Sequence, residues 1–287
     1  MRARILLQHL APQKALSRIV RRATRWTWGP WKTFLINRVL RAYAVDLADA
    51  AERDPRAYAS FNAFFTRALR AGARPPEGDA DTWVSPADGR ISQAGEIDAG
   101  SLVQAKGRTY SVAALLADTA AAEPYAAGRF ATIYLSPRDY HRVHMPLDGE
   151  LVETVHVPGR LFSVAPQPVA AIDGLFARNE RLVCHFKGPR GPFCVVLVGA
   201  MLVSGITTTW SGTEVPPYAR RVGVRDWRGH GVHLARGAEL GRFEMGSTVI
   251  VLVTGASLDP RWTPETPIHV GQALGNLSAA RIQVTIA

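Results

Sequence analysis

Acidic residues are missing from the first 45 positions, which hold ten Lys or Arg and no Asp or Glu. The remainder carries 34 − 10 = 24 basic residues against 24 acidic ones, so the net charge of +10 belongs to the N-terminus and the body is neutral. That distribution argues against a folded basic surface for nucleic acid, and no nucleic-acid partner is expected. It suits an anionic lipid surface, where each Lys or Arg contributes on the order of 1 kcal/mol. Long apolar runs are missing too. The charge-free stretch Gly191 to Thr213 is long enough to span a bilayer, but only Phe193 to Val203 is densely apolar. A span needs about 20 mostly apolar residues, so two strands are the better reading. The opening residues lack an apolar core followed by a small-residue cleavage site, so no secretory signal is expected; an organellar transit peptide is the second reading of the basic N-terminus. Cysteine is scarce. Cys184 and Cys194 read as buried thiols, with a face-to-face placement across a hairpin as the alternative, and neither a disulfide framework nor a zinc site is indicated.

The fold class expected is α+β: a mainly antiparallel β catalytic body (residues 76–287) carrying an N-terminal helical, basic, membrane-associating cap (residues 1–75). In the cap, Leu6, Leu7, Leu10, Leu16, Ile19 and Val20 recur at helical spacing with arginines between them, and Pro12 splits the pattern into two helices. Trp26, Trp28 and Trp31 cluster around Gly29-Pro30, and indole rings favour the headgroup layer of a bilayer. A basic amphipathic helix followed by such a cluster reads as an interfacial anchor. Further helix is predicted from Phe34 to Ala51 and from Ser60, a helix cap, to Leu69. Gly72 to Asp81 reads as a linker. Beyond Trp83, β-branched runs alternate with Gly and Pro turns: 129–135, 150–157, 181–186, 193–203, 206–210, 248–254 and 281–286.

Three loops carry reactive side chains. Ser85-Pro86-Ala87-Asp88-Gly89-Arg90 places a carboxylate where a turn Asp is common. Tyr134 to Pro146 holds His141 and His144, whose spacing makes no convincing metal site without further carboxylates or cysteines and suits acid/base work. Gly237 to Thr248 places Ser247 after a glycine and ahead of the strand Val249-Ile250-Val251-Leu252. This is not the G-x-S-x-G elbow, since no helix follows. A serine hydroxyl needs a neighbouring base, an imidazole serves near neutral pH, and a carboxylate can fix the imidazole tautomer.

Taken together, FNAFFTR (61–67), SPADGRI (85–91), YLSPRDYHRVHMP (134–146), PGRLFSV (158–164), LFARNER (175–181) and GRFEMGSTVIVL (241–252) resemble the signatures of the phosphatidylserine decarboxylases. Met245 stands where that family usually has Leu, a change of little volume. The resemblance implies a membrane-associated proenzyme that cuts itself between Gly246 and Ser247 into a large β chain (1–246) and a small α chain (247–287). It implies Ser247 as processing nucleophile, His144 as its base and Asp88 as the group orienting His144. It further implies a pyruvoyl group made from Ser247, with no metal and no pyridoxal phosphate, that decarboxylates phosphatidylserine to phosphatidylethanolamine and CO2. His141 or His144 is the candidate proton donor. The expected setting is phosphatidylserine in an anionic membrane surface, met by a homodimer on the cytoplasmic face of the inner membrane, or on an organellar membrane as the alternative. A Ser-His-Asp lipid esterase and a non-catalytic lipid-binding β-protein are the rival readings.

Overall fold

The computed structural model describes residues 8, 11–201, 205–218 and 220–278. The first described helix, α1 (Gln13–Arg25), starts directly after Pro12, as the break in the pattern predicts. Its packing is inverted. Gln13, Ser17 and Thr24 are buried against the body, whereas Leu16 and Ile19 face outward. Polar contacts hold it: Gln13 Oε1 accepts from the Leu161 N–H at 2.8 Å, and Lys14 pairs with the buried Glu180 at 3.2 Å. Leu6, Leu7 and Leu10 lie outside the described residues.

Helix α2 (Gly29–Tyr43) places Pro30 in its first turn, where the absent N–H costs no helical bond. It ends at Ala44, whose φ of 50° closes the helix, so the run predicted from Phe34 to Ala51 stops at Tyr43. Helix α3 (Phe61–Phe65) is capped by Ser60, whose Oγ accepts from the Ala63 N–H at 3.2 Å. The aromatic rings of α3 join Tyr58 and Ile36 in a small core under α2.

The strands run, in chain order, β1 (Thr82–Val84), β2 (Gly89–Glu96), β3 (Ser101–Ala105), β4 (Arg108–Ser111), β5 (Arg129–Leu135), β6 (Arg142–His144), β7 (Gly149–Val157), β8 (Arg181–Gly188) and β9 (Gly191–Val198). They continue with β10 (Ile206–Thr208), β11 (Gly212–Val215), β12 (Gly223–Asp226), β13 (His233–Leu234), β14 (Glu239–Phe243), β15 (Ser247–Val253), β16 (Pro267–Ile268) and β17 (Ala273–Asn276). A nine-stranded sheet in the order β12-β7-β8-β9-β15-β5-β2-β16, with β13 also on β7, forms the body. A four-stranded sheet, β11-β10-β14-β6, packs on one face of it. Strand pairs are antiparallel throughout, so the structure is α+β as expected. The predicted strand at 281–286 lies outside the described residues.

Alternation along β15 explains the two cores. Val249, Val251 and Val253 point toward the small sheet, and Ile250 and Leu252 toward the short helices α4 (Val112–Leu116), α5 (Pro166–Val169) and α6 (Leu175–Arg178). A strand buried on both faces reads as one continuous apolar run, which is how it appears in the sequence. The cysteines obey the same alternation. Cys184 registers with Val195 and Cys194 with His185, so the thiols are free, buried and on opposite faces rather than opposed across the hairpin. Burial raises both thiol pKa values.

Two of the quoted motifs turn out to be scaffolding. Buried Arg181 donates to the carbonyls of Ala114, Leu115, Ala177 and Asn179, and Asn179 Nδ2 donates to those of Phe162 and Gly199. Truncating Ile250 to Ala in the central strand is expected to cost about 2–5 kcal/mol of stability, whereas Val224→Ala on exposed β12 stays within about 0.5 kcal/mol. Denaturant midpoints of the two variants check the contrast.

Candidate active site

Ser247 is the first residue of β15, in register with Leu135 at the end of β5. It is fully buried, and its Oγ has no hydrogen-bond partner among the described residues. The chain reaches it from β14 through Glu244, Met245 and Gly246. Met245 has φ of 89°, a conformation that is strained for a side chain without the short polar groups of Asn or Asp. Strain of this kind persists only where the surroundings hold it, and here Met245 packs against the aromatic core of α2 and α3.

His141 follows the Ser136–Asp139 turn, in which Asp139 Oδ2 accepts from both the N–H and the hydroxyl of Ser136 at 2.7 Å. Its Nδ1 donates to the Asp139 carbonyl at 2.8 Å, so in the neutral ring Nε2 carries the lone pair. That Nε2 is buried and unpartnered among the described residues, and a Cβ placed on Gly246 would lie 4.0 Å from it. Phe65 packs against the ring with centroids 4.1 Å apart, which gives the FNAFFTR segment its place. Burial pushes the His141 pKa down to about 3, against the opposing hydrogen bond to Asp139.

His144 ends β6. Its backbone N–H donates to the Pro86 carbonyl at 2.8 Å, which seats it beside the Asp88 loop. Nδ1 donates to the Gly237 carbonyl at 2.8 Å, and Nε2 accepts from the Tyr140 hydroxyl at 3.0 Å. Burial lowers its pKa as well. Asp88 is engaged elsewhere. Arg74 grips it with Nε at 3.2 Å and Nη2 at 3.0 Å, the Val270 N–H donates to it at 2.7 Å, and His269 Nδ1 stands 3.4 Å away. Burial alone would raise the Asp88 carboxyl; His269, Arg74 and the Val270 N–H overcome that and hold it below the usual range. Gly89 serves close approach here, since a Cβ would sit 2.2 Å from the Tyr134 carbonyl oxygen.

The structure therefore gathers the three predicted loops at one place but does not join Asp88, His144 and Ser247 by side-chain hydrogen bonds. His141 is the imidazole at the Gly246–Ser247 junction. Arg74 and His269 escaped the sequence reading: Arg74 lies in what reads as a linker, and His269 follows the two-residue strand β16, with no pattern to mark either. Asp88, Arg67, Arg74, Arg138, Tyr140 and His269 line a cleft of about 730 Å³. Among the described residues no group of three His, Cys, Asp or Glu could hold a metal ion.

The family model described as phosphatidylserine decarboxylase matches residues 61–276, and a second, described as PSD, matches residues 3–44. A protein of Xanthomonas euvesicatoria named phosphatidylserine decarboxylase proenzyme is 54% identical over 270 residues, 93% of this chain and 96% of the relative. Proteins of the same name from Xylella fastidiosa and Xanthomonas campestris are 52% identical over 272 residues (94% of this chain, 93% of the relative) and 51% over 276 (96% and 98%).

The Asp88–His269 pair sets a pH dependence. The hydrogen bond that His269 donates to Asp88 raises the His269 pKa above its ordinary 6.5, so the stabilisation it gives is complete below 6.5 and is lost as pH rises through the higher native value. His269→Gln is expected to flatten that alkaline-side decline in melting temperature and to weaken the acid limb set by Asp88, which Arg74 and the Val270 N–H still hold below the usual range.

Proposed function

The chain belongs to the phosphatidylserine decarboxylase family, and on that premise we propose that it is a precursor which cuts itself at Gly246–Ser247 and then decarboxylates phosphatidylserine through a pyruvoyl group made from Ser247. The observation that carries this reading is the buried Ser247 hydroxyl at a strained bend, with His141 Nε2 beside the bond to be broken, both without a partner among the described residues. Two buried polar atoms without partners among the described residues are costly unless chemistry uses them. They fit a group built from the serine itself.

In the cut, Ser247 Oγ gives up its proton and bonds to the Gly246 carbonyl carbon as the peptide C–N bond breaks, leaving an ester and a free amine. Loss of the Ser247 Cα proton then breaks the Cβ–Oγ bond and releases Gly246 as a carboxylate. One water adds to residue 247 and one ammonia leaves, giving the pyruvoyl end before Thr248. A neutral imidazole is the group to take and return these protons, at a gain of about 10²–10⁴ in rate. We assign the base to His144, oriented by Asp88. The Pro86 hydrogen bond keeps the two segments adjacent, and the charge of Asp88 favours protonation of both histidines against their burial. The relay forms when His144 leaves the Gly237 carbonyl and the Tyr140 hydroxyl.

Once formed, the pyruvoyl carbonyl supplies the sink for electrons of the breaking Cα–carboxylate bond. His141 Nε2 faces that position and is assigned to moving the proton to the substrate carbon. Arg138, at the cleft rim, lends positive charge toward an anionic headgroup. Among the described residues no helix is long and apolar enough to cross a membrane. Leu16, Ile19 and Phe34 on the N-terminal helices, and Trp26 and Trp28 between those helices, are exposed, and we assign them to peripheral docking on the cytoplasmic face of the inner membrane.

Ser247→Ala is expected to leave one uncut chain of 31.2 kDa with no decarboxylase activity. Asp88→Asn and His144→Ala slow cutting by about 10²-fold or more. His141→Ala is expected to cut yet turn over phosphatidylserine at least about 10²-fold more slowly. Intact-mass measurement, with a blocked small fragment as the positive result, and CO2 release distinguish these outcomes.

A further inference from the structure

The residues ahead of the scissile bond are held by the N-terminal helices. Glu244 lies on the bend between β14 and β15 and is 4% exposed. Its Oε2 accepts from Arg21 Nη1 at 3.0 Å, its Oε1 pairs with Arg25, and Thr207 Oγ1 donates to Oε1 at 3.2 Å. Its own N–H donates to the Gly205 carbonyl at 2.9 Å. Gly205 is what leaves room for the cluster, since a Cβ there would fall 2.4 Å from Glu244 Oε2 and 2.9 Å from Arg21 Nη1. Both arginines belong to α1, more than two hundred positions away in sequence, and the carboxylate they grip is two residues before Gly246. The residue between, Met245, is the one held at positive φ, with its side chain against the aromatic core of α2 and α3.

We infer that Glu244 is a positioning residue for self-cleavage, and that its ion cluster with Arg21 and Arg25 makes the cut conditional on α1 being docked on the body. The inference rests on the proposed self-processing. A carboxylate buried at the bend anchors one end of the strained segment, and the aromatic core anchors Met245; between them the Gly246 carbonyl is held against Ser247 Oγ. Losing both arginine side chains removes the ion pairs that anchor the buried carboxylate to α1. The bend then relaxes toward ordinary φ, and the carbonyl turns away from the hydroxyl. Misplacement by about 1 Å is enough to cost about 10²-fold in such a reaction.

The test is the first-order rate at which freshly synthesised precursor is cut, read as the small fragment by mass. The double variant Arg21→Ala/Arg25→Ala and the milder Glu244→Gln are expected to slow the cut by about tenfold or more, and Arg21→Lys/Arg25→Lys to restore most of the rate. Melting temperatures of the same substitutions in a Ser247→Ala background, which cannot cut, separate geometry from loss of fold. Wild-type rates in Glu244→Gln and in the double Ala variant overturn the inference while leaving self-processing intact. A slowing that only follows a fall in melting temperature, with no recovery in the Lys pair, also overturns it. A wild-type chain that never cuts overturns the processing reading as well.

Discussion

The pairing of β15 on both edges is the constraint from which the rest of the molecule follows. All seven of its residues are buried and register with β5 on one side, and Thr248 to Val253 also register with β9 on the other. Polar backbone in such a place must be satisfied by ladder partners, so the position of Ser247 is fixed by strands far from it in sequence. The register with β5 sets the serine opposite Leu135, at the mouth of the turn that carries His141. Reactive geometry at the strand's first residue is therefore a by-product of the deepest part of the fold.

Around that point, the two histidines differ in what holds them. Each donates its Nδ1 proton to a carbonyl, which leaves a lone pair on Nε2 in the neutral ring. In His144 that lone pair takes the Tyr140 hydroxyl; in His141 it takes no partner among the described residues. Burial keeps both rings neutral, in the state that accepts a proton. Asp88 brings negative charge near both, Glu239 adds to it at His144, and Asp88 is shared with Arg74 and His269 on its other side. The charge balance of the cleft is thus set by residues from four separate stretches of chain.

Much of this arrangement could be read from the residues alone. The run 129–135 is the strand β5 itself, and 248–254 differs from β15 by one residue at each end, because β-branched stretches bounded by Gly and Pro leave few other solutions. Ser60 as a cap and Pro12 as a helix boundary were legible from local chemistry. The end of α2 at Tyr43 was not, since Ala44 has no composition signal for a left-handed residue. At the site, Asp88 and His141 stand in loops and His144 and Ser247 at strand ends, all within the segments 85–91, 134–146 and 241–252. Arg74, His269 and the Arg21–Arg25–Glu244 cluster arise only from contacts between distant segments, which no local pattern encodes.

Helix α1 meets the body through Gln13, Ser17, Thr24 and charged side chains, and turns Leu16 and Ile19 outward. Water can replace the polar contacts at small net cost, but it solvates the outward stripe poorly. In detergent-free buffer that stripe and the neighbouring tryptophans form an unsatisfied adhesive strip. Copies of the chain will then stick to one another, or to any apolar additive, through the same side chains, and the apparent size of the particle will track how much amphiphile is present.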